Sequence, residues 1–442
     1  MKEESGKIIY DLIGIGLGPF NLGLAALLEK VPEIDALFFE QKEQFSWHPG
    51  MLIEGATLQV PFLADLVSMA DVTSPYSLLN YLQSHQRLYK FYFLERFHIP
   101  RTEYNAYCQW VAEQLDSCLF GAKVLDVEKH DGYYEVKVFN QKSRQLERFY
   151  AEHLVLGVGT QPAVPASLEG KLGDSMFHSS EYLNRKDRCL EAESIAIIGS
   201  GQSAAEVFYD LLEQQTDYRY SLDWFTRSKG FFPMEYSKLG LEHFSPDYIH
   251  YFYQLPQYKK DETLQSQDLL YKGISAETIS DIYDLLYERT IGDQNPPVHL
   301  QAMTEIQEAD RCRNTYHLKC WQWHSEQSFS RQAEVVILGT GYKPVIPSFM
   351  SGVYPFIDWD EQGRYQVERN YQLKLKPPYK NDIFIQNGEL HTHGIGAPDL
   401  GLGAYRNAVI INTITGKGIY KIDSRNVFQT FSTKASAERV TV

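Results

Sequence analysis

The chain has 442 residues, 43% of them hydrophobic and 22% charged, enough for two or three domains around a large core. A formal net charge of −15 argues against nucleic acid and anionic membranes as partners, which call for basic surfaces, and suits a small cationic substrate. Five cysteines without a Cys-x-x-Cys pair exclude a dithiol exchange centre and point to isolated thiols in a reducing, cytoplasmic setting. No apolar run reaches about 18 residues, and the charged opening lacks an apolar leader, so neither a membrane span nor a secretory signal is expected.

The opening reads as a strand over 8–13 and a turn Gly14-Ile15-Gly16-Leu17-Gly18-Pro19. A helix over about 19–30 follows, then a strand Ala36-Leu37-Phe38-Phe39 closed by Glu40. Gly14, Gly16 and Gly18 let the backbone turn tightly beside a pyrophosphate, and the helix from Pro19 aims its free N–H groups and positive dipole end at that anion. A carboxylate at Glu40 accepts hydrogen bonds from ribose hydroxyls and repels an added phosphate, so this turn suits FAD or NAD.

Segment 76–120 reads as helical. One helix starts at Ser77-Leu78, and another runs from Glu103 to Leu119 with Tyr107, Trp110, Val111 and Leu115 on one stripe. A meander with strands near 133–139 and 153–158 ends at Gly159-Thr160-Gln161-Pro162.

A second strand-turn-helix unit begins near 194, with the turn Gly199-Ser200-Gly201-Gln202-Ser203-Ala204. Its second strand ends in Thr226-Arg227-Ser228-Lys229, without an acid. Arg227 and Lys229 would pair with a 2′-phosphate, which indicates NADPH. A long aromatic, mostly helical insert spans 230–292, and a second meander ends at Gly339-Thr340-Gly341-Tyr342. A strand near 381–385, a loop with His391, His393 and Gly394, and a helix over about 400–415 complete the order, with a loose polar tail past about 424. His391 and His393 lack a third ligand, so no metal site is expected. Turn, meander, turn, meander and return strand imply nesting: residues 189–332 form a unit inserted between 1–188 and 333–442.

Together these residues resemble the flavin-dependent N-hydroxylating monooxygenases that act on the side-chain amine of lysine or ornithine for hydroxamate siderophores. The resemblance rests on Asp11 to Leu22, Phe45-Ser46-Trp47-His48-Pro49-Gly50-Met51, Leu58-Gln59-Val60-Pro61-Phe62-Leu63, the second glycine turn, Gly339 to Tyr342, and His391-Thr392-His393-Gly394. It implies an α/β fold of two nested Rossmann-like dinucleotide-binding domains with a smaller, mostly helical substrate-binding region. The outer unit would hold FAD and the inner unit NADPH. It implies O2 as co-substrate, a C(4a)-hydroperoxyflavin as the oxygen donor, and a homo-oligomer, commonly a tetramer. Trp47, His48, Met51 and Gln59 would line the flavin, with Gln59 at its reacting edge as the catalytic side chain. Gly199, Ser200, Gly201, Gln202 and Ser203 would hold the second nucleotide, and Tyr271 would stand where ornithine hydroxylases place an asparagine against the nicotinamide.

Departures from the family pattern cluster at the substrate end. Ala64 replaces a lysine that grips the substrate carboxylate, Leu241 replaces an Asn or Asp, and Gly401 replaces a serine. An unpaired carboxylate in a dry pocket costs several kcal/mol, roughly a thousandfold in affinity. The economical substrate therefore carries amines alone: putrescine or cadaverine. Its distal ammonium would be met by Glu242 or Asp399, with Tyr236, Phe244 or Tyr405 assisting through ring faces. Under a competing reading Lys238 or Arg406 supplies the missing cation and the substrate is lysine. A further rival is a redox-sensing flavoprotein without catalysis.

Overall fold

The computed structural model describes residues 2–433, apart from Ser5, Asp293 and Ser424. Its first sheet is built on the strand Lys7–Ile15, whose apolar run is buried on both faces, as parallel strands under helices require. Ala36–Glu40 lies parallel on one side and Gln145–Leu156 on the other. Ala122–Lys129 and Tyr134–Asn140 form the antiparallel meander leading into Gln145–Leu156. Ile383–Ile385 returns from the far end of the chain to pair in parallel with residues 154–156.

The helix Pro19–Leu28 starts with proline at its first position and buries nearly every residue against the sheet and the C-terminal helix Gly403–Thr415. The predicted helix Glu103–Leu119 is shorter. It spans Arg101–Ala112, and Cys118–Phe120 instead forms an edge strand on Ala36–Glu40. Leu115 keeps its buried place in the same core, which is why the helical stripe looked continuous.

The second sheet is wholly parallel, in the order Val298–Gln301, Ser221–Phe225, Ser194–Ile198, Val335–Leu338, Met176–His178. Strand pairing thus moves the expected domain boundaries. Residues 176–178 and 335–338 belong to the inner unit, and the crossings are the antiparallel ribbon Thr160–Pro162 with Tyr342–Pro344. The inner sheet is built from the chain between those two strands.

The insert holds five helices, Lys238–Leu241, Pro246–Tyr253, Gln257–Ser266, Asp268–Tyr271 and Ala276–Glu288. Ser245 and Ser275 cap two of them by accepting from Tyr248 N and Thr278 N at 3.2 Å each. The tail expected to be loose is held over its described part. Phe431 packs among His243, Tyr248 and Tyr251, and Asn426 donates to Asp247 at 2.9 Å. Residues 434–442 lie outside the described residues.

Candidate active site

A cleft of about 1840 Å³ runs between the two sheets and is lined by both glycine turns. A single drug-sized ligand occupies roughly 300–1,000 Å³, so the space admits two large ligands. At the first turn a methyl on Gly14 would lie 2.1 Å from Phe38 Cδ1, and one on Gly16 (φ +86°) would lie 2.6 Å from Gly157 O. Those two glycines are therefore needed for close packing of the turn. Gly18 differs, because a methyl there would meet nothing within 4 Å. The helix that starts at Pro19 has no side-chain cap, and its first residues face the cleft. Open space before an uncapped helix N-terminus fits a pyrophosphate. Glu40 Oε2 accepts from Leu17 N and Oε1 from Lys42 N, both at 2.9 Å. Each oxygen keeps a lone pair toward the cleft for a ribose hydroxyl.

Gly199 (φ +146°) lies against Gly339, where a methyl would come within 2.1 Å of the carbonyl oxygen. The helix Gln202–Gln214 is likewise uncapped. Ser200, Gly201, Ser203 and Arg227 line the cleft, and Ser200 Oγ sits 2.9 Å from Ser228 Oγ. Arg227 is exposed and has no ion-pair or hydrogen-bond partner among the described residues, as suits a waiting phosphate ligand. Lys229 is exposed but, unlike Arg227, does not line the cleft. Charge-assisted hydrogen bonds contribute about 1.5–3 kcal/mol. Arg227→Ala is accordingly expected to raise the KM for NADPH roughly 10- to 100-fold and leave that for NADH little changed, as steady-state kinetics with both nucleotides will read.

Trp47, His48 and Gln59 line the cleft. Trp47 N donates to Asn105 Oδ1 at 2.9 Å, and its ring meets Tyr104 edge-on. His48 adopts the left-handed region (φ +46°) at the start of a short turn, and its ring stacks edge-on with Tyr342. Burial, aided by the charge of Arg101, pulls its pKa down to about 4, so the imidazole is neutral at physiological pH. Met51 is a correction: it does not line the cleft but packs in the inner unit's core, 2% exposed, with Phe177 and Tyr182. Tyr271 does line it.

Ala64, Asp399 and Gly401 meet at one place; none of the three lines the cleft itself, but Pro398 and Leu400, on either side of Asp399, do. A methyl on Gly401 would stand 2.9 Å from Asp399 Oδ1 and 3.7 Å from Ala64 Cβ. Desolvation pushes the Asp399 carboxyl up to about 6, against backbone N–H donation from Gly401 and Leu402 and the charge of Arg406. Tyr236 feels the Asp399 charge. Burial first, then that carboxylate, raises its phenol to about 12. The other two aromatic candidates are engaged elsewhere: Phe244 packs in the insert's own core, and Tyr405 Oη bonds His250 Nε2 at 3.1 Å.

Glu242 is a second correction. Its oxygens accept from the backbone N–H groups of Phe428 and Gln429 at 3.0 Å each, so it anchors the tail and does not face the cleft. Leu241, beside it, does not line the cleft either. The two cations proposed to replace the missing lysine are also out of place. Lys238 is exposed and away from the cleft. Arg406 is 1% exposed, 3.2 Å from Glu389 Oε1, and donates to the carbonyls of Gly396 and Ala397.

His391 and His393 are structural: their Nε2 atoms face the carbonyls of Tyr365 and Arg369 at 2.6 and 3.2 Å. Among the described residues no cluster of His, Cys, Asp or Glu could hold a metal. Sequence reading missed Arg101 and Glu206, an ion pair at 2.7 Å between the two units. No local sequence pattern joins two residues that lie 105 apart in the chain.

Two uncapped helix starts facing one cleft, one beside an acid and the other beside a free guanidinium, define a two-nucleotide oxidoreductase. The chain belongs to the L-lysine 6-monooxygenase/L-ornithine 5-monooxygenase family, whose model it matches over residues 8–344. It is 44% identical over 435 residues to a putrescine N-hydroxylase of Shewanella oneidensis, covering 98% of this chain and 86% of that protein. The FAD-bound crystal structure of DfoA, the cadaverine monooxygenase of the desferrioxamine pathway in Erwinia amylovora, superposes with a TM-score of 0.93 at 43% identity. That match covers 97% of this chain and 100% of the other. The ornithine N-hydroxylase KtzI of Kutzneria sp. 744, solved with reduced FAD, NADP+ and L-ornithine, gives 0.87 at 25% identity, over 92% and 99% of the two chains.

Proposed function

We propose that this chain is an FAD- and NADPH-dependent monooxygenase that hydroxylates one primary amine of a linear diamine, putrescine or cadaverine, for hydroxamate siderophore biosynthesis. When bound, the flavin takes electrons from NADPH, activates O2 and supplies the oxygen atom that reaches the amine. The protein's own part is positional. The turn at Gly14–Pro19 and Glu40 hold one dinucleotide, and Gly199, Ser200, Gly201 and Ser203 with Arg227 hold the other. Trp47 and His48 wall the space between them, and Gln59 presents its amide there. A neutral His48 adds no positive charge that would repel an incoming ammonium.

The observation that carries the choice of a diamine is the cluster of Ala64, Gly401 and Asp399. A desolvated carboxylate there favours an ammonium and repels an amino acid's carboxylate, while the buried Arg406 nearby is already paired with Glu389. Asp399 thus takes the distal ammonium, assisted by the Tyr236 ring. A product assay with putrescine, cadaverine, lysine and ornithine side by side tests this. Hydroxylamine forms from the diamines, and a preference for lysine would overturn the reading, whereas NADPH oxidation with peroxide alone from all four would indicate a sensor.

We also infer a homotetramer, which sedimentation equilibrium will test, and a cytoplasmic location, supported by the five unpaired thiols. No helix among the described residues is long and apolar enough to cross a membrane.

A further inference from the structure

Gln202, expected to touch the second nucleotide, spends its side chain elsewhere. Its Nε2 donates to Glu206 Oε1 at 2.9 Å and to Thr278 Oγ1 at 3.0 Å, and its Oε1 accepts from Ser275 N at 2.7 Å and from Gln59 Nε2 at 3.3 Å. All four hydrogen-bonding positions of this amide are filled within the protein. Its orientation is fixed by Ser275, because a backbone N–H can only donate and so must face the amide oxygen. Glu206 is in turn held by Arg101 Nη1 at 2.7 Å.

The consequence passes along the chain of bonds to Gln59. Since Gln202 offers it an oxygen, Gln59 must turn its NH2 group toward Gln202, with a weak second contact to Met234 Sδ at 3.6 Å. Gln59 Oε1 is left without a hydrogen-bond donor among the described residues, on a side chain that lines the cleft. We propose that Glu206 and Gln202 are positioning residues that lock Gln59 with its carbonyl oxygen toward the reacting centre. Whatever meets Gln59 there must be an N–H or O–H donor, and the primary amine being hydroxylated is one. Unlocked, the amide could turn its NH2 group toward the amine and tie up the nitrogen lone pair that must take the oxygen, which would then be lost to water as peroxide. This inference rests on the proposed N-hydroxylation.

The test uses the FAD-loaded enzyme with putrescine and cadaverine and reads hydroxylamine formed per NADPH consumed, with peroxide as the remainder. In Glu206→Gln a single oxygen must serve both Arg101 and Gln202. We expect hydroxylamine yield to fall about threefold or more, with the rate of flavin reduction by NADPH within about twofold of wild type. Gln202→Leu, which spares the ion pair, shows the same fall in yield and decides the matter should Glu206→Gln fail to fold. Combining either change with Gln59→Leu gives no loss beyond that of Gln59→Leu alone. Multiplied losses in the double variants, or unchanged yield in the single ones, would overturn the assignment. A wild-type enzyme that makes no hydroxylamine from any of the four amines would instead remove the proposed reaction.

Discussion

Asp399→Asn is expected to raise the diamine KM roughly 10- to 100-fold, the loss of one charge-assisted contact of about 1.5–3 kcal/mol, while flavin reduction by NADPH persists. The wild-type pH profile should carry the same signature. With its carboxyl raised to about 6, Asp399 is ionised above that value and attracts the ammonium, and protonation below it removes the attraction. The kcat/KM for diamine therefore falls as pH drops through about 6, and Asp399→Asn, having no such proton, lacks that acid limb. Steady-state kinetics from pH 5 to 8 on both proteins checks this, and an acid limb retained in the variant would assign it to another group.

The largest expected effect on stability falls at Arg406 and Glu389, 1% and 0% exposed. The guanidinium also lies over the rings of Phe20, 4.7 Å away, and Tyr371, 5.5 Å away. It thereby ties the C-terminal helix to the start of the helix Pro19–Leu28 and to residues 396–397. Removing one member of such a pair strands the other charge in a dry interior, at a cost of about 3–5 kcal/mol. Arg406→Met and Glu389→Gln are each expected to lower the denaturation midpoint by that equivalent and to shed FAD. The double variant Arg406→Met/Glu389→Leu recovers much of the loss, since no orphan charge remains. Chemical denaturation followed by flavin and tryptophan fluorescence reads both outcomes.

What could be read from residues alone was local in sequence. The glycine turns, Glu40 closing the second strand and Arg227 closing its counterpart announce themselves through patterns spanning about 30 residues. Ala64, Leu241 and Gly401 stood out because neighbouring motifs fixed their register. Two of those three, Ala64 and Gly401, proved to be neighbours, with Asp399 beside Gly401. What escaped depended on pairing at long range. Glu242 carries the charge expected of a substrate ligand, and only the path of the tail shows that it holds Phe428 and Gln429. Met51 sits beside true cleft residues, but the turn at Pro49–Met51 swings its side chain into the other unit's core. The domain limits were misplaced because a strand of three residues, Met176–His178, is too short to show a period, yet it completes a sheet.

Nesting also sets the order in which the protein can be built. The inner sheet is complete once Val335–Leu338 has been made, so that unit can close while synthesis continues. The outer sheet still lacks Ile383–Ile385, and the helix Pro19–Leu28 still lacks its cover, Gly403–Thr415. Because domains fold as units while the chain emerges, the N-terminal glycine turn must wait, half-dressed, until the helix Gly403–Thr415 has left the ribosome. A nascent chain arrested when residues up to about 345 have emerged from the ribosome is thus expected to protect its inner half from protease and leave its outer half open to cutting.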